Sequence, residues 1–276
     1  MEFTAHQPAA SLGPYIEAIF HYQNFVPDHS IERVVPTGHI FILFELDGFV
    51  RNTFDNQTLE PNAEYSQVWI SGMHRGHISI SAHENSEMFV IQFKPYGSRP
   101  FLHLHTAELN EKVIAIEEVL GTSLLDLREA MLKTDTPQDK FELAEAWLLE
   151  RFDASRQPPQ ELIDFVDVLQ KEPVAKLHEL IADHGNSQKH LIEQFKKYLG
   201  LTPKWYQRIV RFNELLLKIQ QQQEISWAEI AYDCGYADQP HFIREFKHFS
   251  GMNPAEYIQQ EFNQGEPNFF PLDRDG

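Results

Sequence analysis

The apolar residues of the chain follow two different periods, and the change between them divides the sequence. From Ala18 to Phe93, short β-rich runs alternate with turn residues such as Gly38, Gly72 and Gly76. Several short strands at this spacing are typical of a small barrel or sandwich. We therefore predict strands at four runs, which are HIFILFEL (39–46), YSQVWIS (65–71), HISIS (77–81) and MFVIQF (88–93).

After Pro100 the apolar spacing becomes three and four residues, which is the period of an amphipathic helix. Pro158 and Pro159 then interrupt the helical pattern, because consecutive prolines cannot lie inside a helix. We place a domain boundary at these prolines. The helical stripes before them are Leu124, Leu127 and Met131, followed by Phe141, Ala144, Leu148 and Phe152.

The last hundred residues contain a tandem duplication. Residues 187–206 align with residues 238–257 at an offset of 51 positions, and the identities are far above chance. Just upstream, Gly185 and Gly235 match at an offset of 50, so the repeated unit has one residue of slack in its turn. The identical pairs are Gln188/Gln239, His190/His241, Ile192/Ile243, Phe195/Phe246, Lys196/Lys247, Gly200/Gly251, Pro203/Pro254 and Tyr206/Tyr257.

Each repeated unit has the pattern of a helix, a tight turn and a second helix. Ser187 and Asp238 precede the second helix of their units and are predicted N-caps. Ser226 and Glu229 are predicted to form a capping box at the first helix of the second unit. A helix pair joined by a glycine turn is as often plain packing as DNA binding. The duplication of polar as well as apolar positions favours DNA binding.

One apolar stripe between the two units predicts a single connecting helix. A helix from Lys204 to about Gln222 would be about 28 Å long at about 1.5 Å per residue. This length approaches the roughly 34 Å of one DNA turn, so a rigid spacer could place two helices in successive major-groove segments. A stripe that only fills a core remains the alternative. The stripe is Trp205, Ile209, Phe212, Leu216 and Ile219.

The formal net charge of -18 argues at first against a nucleic-acid partner, since phosphate contacts require lysine and arginine. The acidity is unevenly distributed, however. Residues 1–171 hold 12 Lys and Arg against 26 Asp and Glu, whereas residues 172–262 hold 10 against 12. The basic residues of the C-terminal part must therefore be gathered on one face, and weak nonspecific DNA binding is expected.

The remaining bulk features point to a cytoplasmic protein. With 276 residues and 42% hydrophobic residues, the chain can form two packed cores. The N-terminus has no signal-peptide pattern, and the longest apolar run is too short for a membrane span. The single cysteine, Cys234, allows no internal disulfide and no cysteine-based zinc cluster.

The C-terminal residues closely resemble the DNA-binding domain of the AraC/XylS family of transcription regulators. The resemblance rests on GNSQKHLIEQFKKYLGLTPKWY and on IAYDCGYADQPHFIREFKHFSGMNPAEY, and it covers about Pro158 to Gln260. It implies that the second helix of each unit enters the major groove of an operator. It also implies that the exposed N-terminal half of that helix contacts bases while flanking groups contact phosphates.

Carried over by position, the resemblance gives a set of DNA-contacting residues. Glu193 departs from many relatives, which have arginine there, because a carboxylate can only accept a hydrogen bond, for instance from cytosine; the alternative is a surface salt bridge. Arg244 is the foremost candidate for a base or phosphate contact. The full set is Ser187, Gln188, Lys189, Ile192, Glu193, Lys196 and Lys197 in the first unit, and Gln239, His241, Arg244 and Lys247 in the second.

The N-terminal region more loosely resembles the sensor domain of a subset of these regulators. The similar segments are VVPTGHIFILFEL, WISGMH and QFKPYGSRPFL followed by LHTAELNEKVIAIEEVLG. The resemblance implies a small cupin-like β-barrel with a helical annex at residues 8–132. It further implies an unidentified small-molecule effector, whose site cannot be named from the motifs, and dimerisation through the adjoining helices.

Three other functions compete with a regulator. Histidines could make a metal-dependent cupin-type enzyme fused to a DNA-binding module, although their spacing does not reproduce a cupin ligand set. A methylated-DNA repair activator needs an acceptor thiol, whereas Cys234 lies in a turn where a small apolar residue packs. A purely structural, protein-binding role would show itself by the absence of DNA binding. The histidines concerned are His74, His77, His83, His103 and His105.

The sequence as a whole predicts an α+β protein and a transcription regulator rather than an enzyme. The expected domains are a sensor barrel with its annex at 8–132, a helical connector at 133–157, and an all-α DNA-binding domain at 158–260. The last contains two helix-turn-helix units joined by a linker helix. The expected partners are double-stranded DNA, a small effector, a second copy of the chain and RNA polymerase, with no membrane, no metal and no cofactor.

Overall fold

The structure is a computed structural model that describes residues 1–116, 121–183, 185, 187–221, 226–259 and 268–273. Strands dominate the first 116 residues, which we call the β-domain, and helices dominate the rest. The strands are β1 (Glu2–His6), β2 (Ile16–Phe25), β3 (Ile31–Val34), β4 (Ile40–Glu45), β5 (Arg51–Phe54), β6 (Pro61–Tyr65), β7 (Val68–Ser71), β8 (Ile78–Ser81), β9 (Ser86–Phe93), β10 (Val113–Ala115) and β11 (Phe269–Pro271).

Helices begin within the β-domain and continue through the C-terminal part. A short 3₁₀ turn at Ala154–Arg156 precedes the two prolines at which a boundary is expected. The helices are α1 (Arg99–Leu102), α2 (Thr106–Leu109), α3 (Ser123–Met131), α4 (Pro137–Arg151), α5 (Gln160–Lys171), α6 (Leu177–Asp183), α7 (Gln188–Tyr198), α8 (Pro203–Gln221), α9 (Trp227–Asp233), α10 (Gln239–Ser250) and α11 (Pro254–Gln259). None of the helices in the described residues combines the length and hydropathy that a membrane crossing requires.

Two antiparallel sheets form in the described part of the chain, with strand orders β1-β2-β9-β4-β7-β10 and β11-β3-β8-β5-β6. The mixed architecture, with sheets first and helices last, confirms the α+β prediction. Three of the four predicted runs each correspond to one strand, but the prediction of a single strand at 65–71 is wrong. Tyr65 ends β6 and Val68 begins β7, because Gln67 adopts a left-handed backbone with φ 63° that turns the chain.

One face of the six-stranded sheet packs against helices. Alternation along β4 and β9 directs Ile42, Phe89 and Phe93 to this face, and all three are fully buried. The ring of Phe141 in α4 lies 5.4 Å from that of Phe89, and the ring of Phe101 in α1 lies 5.8 Å from that of Phe93. Each buried aromatic side chain contributes roughly 1.5–3 kcal/mol of transfer free energy. The predicted stripes of α3 and α4 therefore cover the sheet.

The opposite face of the six-stranded sheet turns toward the five-stranded sheet. The indole Nε1 of Trp69 donates to Glu45 Oε1 at 2.8 Å, and the Arg51 Nε of β5 donates to Glu45 Oε2 at 2.8 Å. Several large side chains that are only partly buried pack around this polar cluster. These side chains are Phe20, Tyr22, Phe41, Leu43 and Tyr65.

Burial of Glu45 raises the pKa of its carboxyl to about 7, although Arg51 and Trp69 both favour the ionised form. The folded chain therefore binds a proton between about pH 4.5 and pH 7 that the unfolded chain releases, so this group's contribution to stability is lost as the pH rises through 7. We expect Glu45→Gln to remove this dependence, which is at most about 1.4 kcal/mol per pH unit.

Urea unfolding of the wild-type chain and of the Glu45→Gln variant at a series of pH values measures this difference. If Glu45 has this raised pKa, the free energy of unfolding of the wild-type chain should fall relative to that of the variant between pH 5 and pH 8. A constant difference would contradict it.

The last described strand, β11, returns from the helical part to the β-domain, which the sequence did not indicate. It pairs antiparallel with β3, Phe270 opposite Arg33, at the edge of the five-stranded sheet. The Phe270 side chain is fully buried and its ring lies 5.1 Å from that of Tyr257, which follows the second unit. The Asp273 carboxylate accepts the backbone N–H of Ile31 at 2.8 Å. Residues 269–273 thus contact both the β-domain and the helical part.

Candidate nucleic-acid interface

Helices α6 and α7 form the first repeated unit, and α9 and α10 form the second. The predicted N-caps Ser187 and Asp238 are confirmed, since Ser187 Oγ accepts the N–H of His190 at 3.2 Å and Asp238 Oδ1 accepts the N–H of His241 at 2.7 Å. The capping box at Ser226 is wrong, because its side chain accepts no hydrogen bond at the start of α9. The two units therefore begin their second helices alike.

The turns of the two units are also alike. Gly185 and Gly235 have φ of 78° and 71°, a left-handed conformation that glycine adopts without strain. Past the ends of α7 and α10, Gly200 and Gly251 both have φ of 74°. Glycine at this position is the common terminator of a helix. The repeat in the sequence therefore corresponds to a repeat in backbone conformation.

Equivalent aromatic residues pack in equivalent places in the two units. The rings of Phe195 and Tyr206 lie 6.1 Å apart, and the rings of their repeat partners Phe246 and Tyr257 lie 5.2 Å apart. All four side chains are buried. The start of α8 is thus the closing helix of the first unit, as α11 is of the second.

The connecting helix is confirmed as one continuous element from Pro203 to Gln221, and Gln222, where its end is expected, lies outside the described residues. Its 19 residues span about 28 Å at about 1.5 Å each. The predicted stripe faces the core, with Phe212 5.3 Å from the ring of Phe246. The helix therefore fills the core and separates the two units.

The N-terminal halves of α7 and α10 are open to solvent. Of the proposed residues, Ile192 and His241 are partly buried, and the other nine are exposed. The exposed residues are Ser187, Gln188, Lys189, Glu193, Lys196 and Lys197 in the first unit, and Gln239, Arg244 and Lys247 in the second. Each set lies on or directly before one helix, opposite the buried stripe that holds that helix to the core.

Charge on these two helix surfaces is mostly positive. Lys189 Nζ lies 4.0 Å from the carboxylate of Glu193, an exposed pair one helical turn apart. An exposed pair of this kind contributes at most about 1 kcal/mol and leaves both side chains able to exchange partners. Lys197 Nζ lies 5.0 Å from the ring centroid of Tyr198. The cations thus surround the only proposed carboxylate.

Glu245, which the sequence patterns did not single out, fixes α10 to α8. Its buried carboxylate accepts hydrogen bonds from Arg208 Nε at 3.0 Å and from Arg211 Nη2 at 2.5 Å. The proposed contact residue His241 has its Nε2 3.8 Å from the same carboxylate. The sequence feature that could have indicated Glu245 is a charged residue next to Phe246, on the apolar side of α10. The arrangement orients the second helix of the second unit relative to the linker.

Ile243 is another exposed residue that sequence reasoning left out. Its side chain is 38% exposed on α10, beside Arg244. The sequence repeat indicates this residue, because Ile243 is the repeat partner of the candidate contact residue Ile192. Exposed apolar side chains at a helix surface can contact the methyl group of thymine.

Cys234 is fully buried at the end of α9, and burial raises the pKa of its thiol. A raised pKa disfavours the nucleophilic thiolate. The packing role expected of Cys234 is therefore consistent with its environment, and a thiol acceptor for repair chemistry is not.

The histidines behind the enzyme alternative do not converge. His74 Nε2 is paired with Ser71 Oγ at 3.2 Å, His83 Nε2 with Ser81 Oγ at 3.1 Å, and His103 Nε2 with backbone carbonyls. Within the described residues, no group of three or more His, Cys, Asp and Glu side chains could hold a metal ion. The metal-dependent enzyme therefore gains no support from these residues.

Comparison with known protein families matches two segments of the chain. Residues 180–260 match a model described as a helix-turn-helix domain, and residues 4–115 match one described as a domain of unknown function (DUF6597). The first match spans α7 to α11 and so includes α7 and α10, the two helices that carry the proposed contact residues.

Curated relatives match shorter parts of the chain. The HTH-type transcriptional regulator GbdR of Pseudomonas aeruginosa is 30% identical over 111 residues, covering 39% of this chain and 28% of that protein. The HTH-type transcriptional activator RhaS of Pectobacterium carotovorum is 32% identical over 76 residues, covering 28% of this chain and 27% of that protein. The matches thus cover less than a third of each relative.

Among solved structures, ToxT of Vibrio cholerae is similar over 94% of this chain and 98% of its own, with 11% identity and a TM-score of 0.44. ToxT bound to (E)-4-(8-methylnaphthalen-1-yl)but-3-enoic acid is similar over 94% of this chain and 99% of its own, with 12% identity and a TM-score of 0.45. The chain thus contains a segment that matches a helix-turn-helix domain, and the curated proteins that it is similar to are HTH-type transcription regulators.

Proposed function

We propose that the chain is a sequence-specific DNA-binding transcription regulator with two helix-turn-helix units. The observation that carries the proposal is the duplicated pair of helices α7 and α10. Both are held by a buried stripe that contains phenylalanine, both have an exposed N-terminal half, and the exposed surface of each whole helix carries more cations than carboxylates. In the AraC/XylS family, which these residues resemble, helices in this position enter the major groove, and we call α7 and α10 the reading helices.

The proposed roles follow the chemistry of each exposed side chain. In α7, Gln188 and Lys189 contact base edges with Ile192 and Glu193, while Lys196 and Lys197 contact phosphates. In α10, Gln239, His241 and Arg244 contact bases, and Lys247 contacts phosphate. Ser187 lies at the N-terminus of α7, where backbone N–H groups also attract phosphate. Arg244 can form two hydrogen bonds with guanine through its planar fork.

We further propose that α8 sets the two reading helices in successive major-groove segments on one face of the duplex, since its length of about 28 Å approaches the length of one DNA turn.

The domain limits 8–132, 133–157 and 158–260 remain our proposal. Within the first, we propose a cupin-like barrel that binds a small-molecule effector. A homodimer and contact with RNA polymerase are further proposals.

Selection of binding sites from a random duplex library with the full chain tests the DNA-binding proposal. We expect enrichment of one motif with two conserved blocks, and a loss of affinity with salt that reflects a few released counterions. A variant of the full chain with Lys189→Glu and Lys247→Glu reverses two exposed charges without touching the packed stripe, and we expect it to lose the enrichment. Equal recovery of all sequences by the wild-type chain, or the same enrichment with this variant, would reject the proposal.

A further inference from the structure

The β-domain donates hydrogen bonds to the C-terminal ends of both reading helices. The side-chain amide of Asn110 donates to the carbonyl of Gly200, and Thr106 Oγ1 donates to the carbonyl of Lys197 at 3.2 Å. At the other reading helix, Arg33 Nη1 donates to the carbonyl of Ser250 at 3.1 Å. Lys197 and Ser250 lie in the last turns of their helices, whose carbonyls lack intrahelical partners and carry the negative dipole end. Thr106 and Arg33 therefore stabilise these ends, while Asn110 binds the turn just after α7.

These contacts fall within one residue of equivalent positions of the duplication, because Ser250 directly precedes the repeat partner of Gly200. Gly200 and Gly251 are repeat partners, and each lies directly against the β-domain side chain that serves its helix. A Cβ atom at Gly200 would overlap the Asn110 amide, and one at Gly251 would lie 2.6 Å from Arg33 Nη1. Two unrelated parts of the β-domain, the residue after α2 and the strand β3, therefore contact the same site of two duplicated helices.

The two contacts leave the reading surfaces free. Asn110 and Arg33 contact carbonyls at the ends of α7 and α10, while the exposed base-contacting residues lie in the N-terminal halves. The β-domain therefore does not cover the surface that would contact DNA. What it fixes is the position of each helix end.

Strand β3 is itself held from both sides, which makes its contact with α10 firm. Its far edge pairs with β11, and the carbonyl of Pro36, just after β3, accepts Asn213 Nδ2 of α8 at 2.9 Å. A Cβ atom at Gly38 would lie 3.2 Å from the ring of Tyr206. One short segment of the β-domain thus contacts the linker helix and the second reading helix together.

His77 reinforces the contact at α10 without adding charge. A Cβ atom at Gly251 would lie 2.7 Å from its ring, and burial lowers the pKa of His77 to about 4, so it is neutral at pH 7. Arg33 is then the cation of the β-domain that bonds to a carbonyl at this helix end, the position that a cation favours.

We propose that Asn110 and Arg33 are positioning residues through which the β-domain sets the separation and relative orientation of the two reading helices. The inference rests on the proposed DNA-binding function and adds a role for the β-domain in it. Helix α8 alone connects the two units within the chain, whereas Asn110 and Arg33 tie both to one common body. Without these ties, each unit still recognises its own block of bases, but the distance between blocks matters less.

The test uses the full chain and a set of duplexes in which the spacer between the two selected blocks is lengthened or shortened by one to four base pairs. The variants are Asn110→Asp, which keeps the shape but faces the Gly200 carbonyl with a carboxylate, and Arg33→Gln. The wild-type chain is expected to lose at least about tenfold in affinity two base pairs from the optimum. Each variant is expected to reduce this loss several-fold.

Control variants change the same charges elsewhere. Asn85→Asp lies on an exposed turn of the β-domain and Lys133→Gln lies just after α3, both away from the reading helices. They are expected to keep the wild-type spacing profile. Hydrogen exchange without DNA gives a second measure, in which residues 196–201 exchange faster in Asn110→Asp and residues 247–252 exchange faster in Arg33→Gln.

The outcomes separate the two proposals. A wild-type chain that selects no two-block site rejects the DNA-binding function and this inference with it. If the wild-type chain has a sharp optimum and the variants lower affinity equally at every spacing, the DNA-binding function stands and the positioning role is overturned. Unaltered exchange at both helix ends would likewise overturn it.

Discussion

Replacing Phe246 with alanine is expected to cost about 3–5 kcal/mol of the free energy of unfolding of the second unit, because a fully buried ring is removed. The ring lies 5.3 Å from that of Phe212 and 5.2 Å from that of Tyr257, so it joins α10 to both α8 and α11. We expect protection from the second DNA block to disappear in footprints of the full chain, and urea unfolding to show an earlier transition.

The duplication supplies the matched control for this change. Phe195→Ala removes the equivalent buried ring of the first unit and is expected to abolish protection of the first block instead. Ile243→Ala, at an exposed position of α10, should leave stability within about 0.5 kcal/mol of the wild type. Loss of both blocks to the same extent in both phenylalanine variants would contradict two separately acting units.

Arg244→Ala is expected to weaken binding to the selected site about 10- to 100-fold, equivalent to about 1–3 kcal/mol, and to relax the base preference at one position of the second block. Arg244 is exposed on α10, and no ion pair or hydrogen bond of its side chain occurs with the described residues, so its loss should not destabilise the fold. Competition binding with every single-base variant of the site measures both effects.

Arg244→Lys distinguishes the two contacts that an arginine can make. Lysine keeps the charge but lacks the rigid fork, so we expect a phosphate contact to survive the change and a two-bond contact with guanine to weaken together with its base preference. An affinity and a base preference that are both unchanged in Arg244→Ala would remove Arg244 from the interface.

The C-terminal half could be predicted because its determinants are local and repeated. The caps Ser187 and Asp238 act on a backbone N–H three residues away, and the glycine turns require only their own φ. The aromatic stripe of α10 recurs at the helical period, and the duplication let each position be checked against its partner. Side chains opposite such a stripe are exposed for the same reason, which is why the proposed contact residues lie on open helix surfaces.

The contacts between the two halves could not be predicted, because they join residues far apart in sequence. Nothing in the pattern of β3 indicates that Phe270 pairs opposite Arg33, or that Arg33 reaches the carbonyl of Ser250. Asn110 likewise lies in a polar loop with no periodicity. The burial of Glu245 also depends on its partners in α8, since a lone glutamate is expected at a surface. Such residues become recognisable only when the fold brings their partners together.

The most direct measurement of the central claim is a hydroxyl-radical footprint of the full chain on its selected duplex. Two reading helices separated by α8 predict two protected segments centred about 10 base pairs apart on the same face of the helix. The second segment should be lost in Phe246→Ala and the first in Phe195→Ala. A single protected segment that responds equally to both substitutions would contradict the two-unit account.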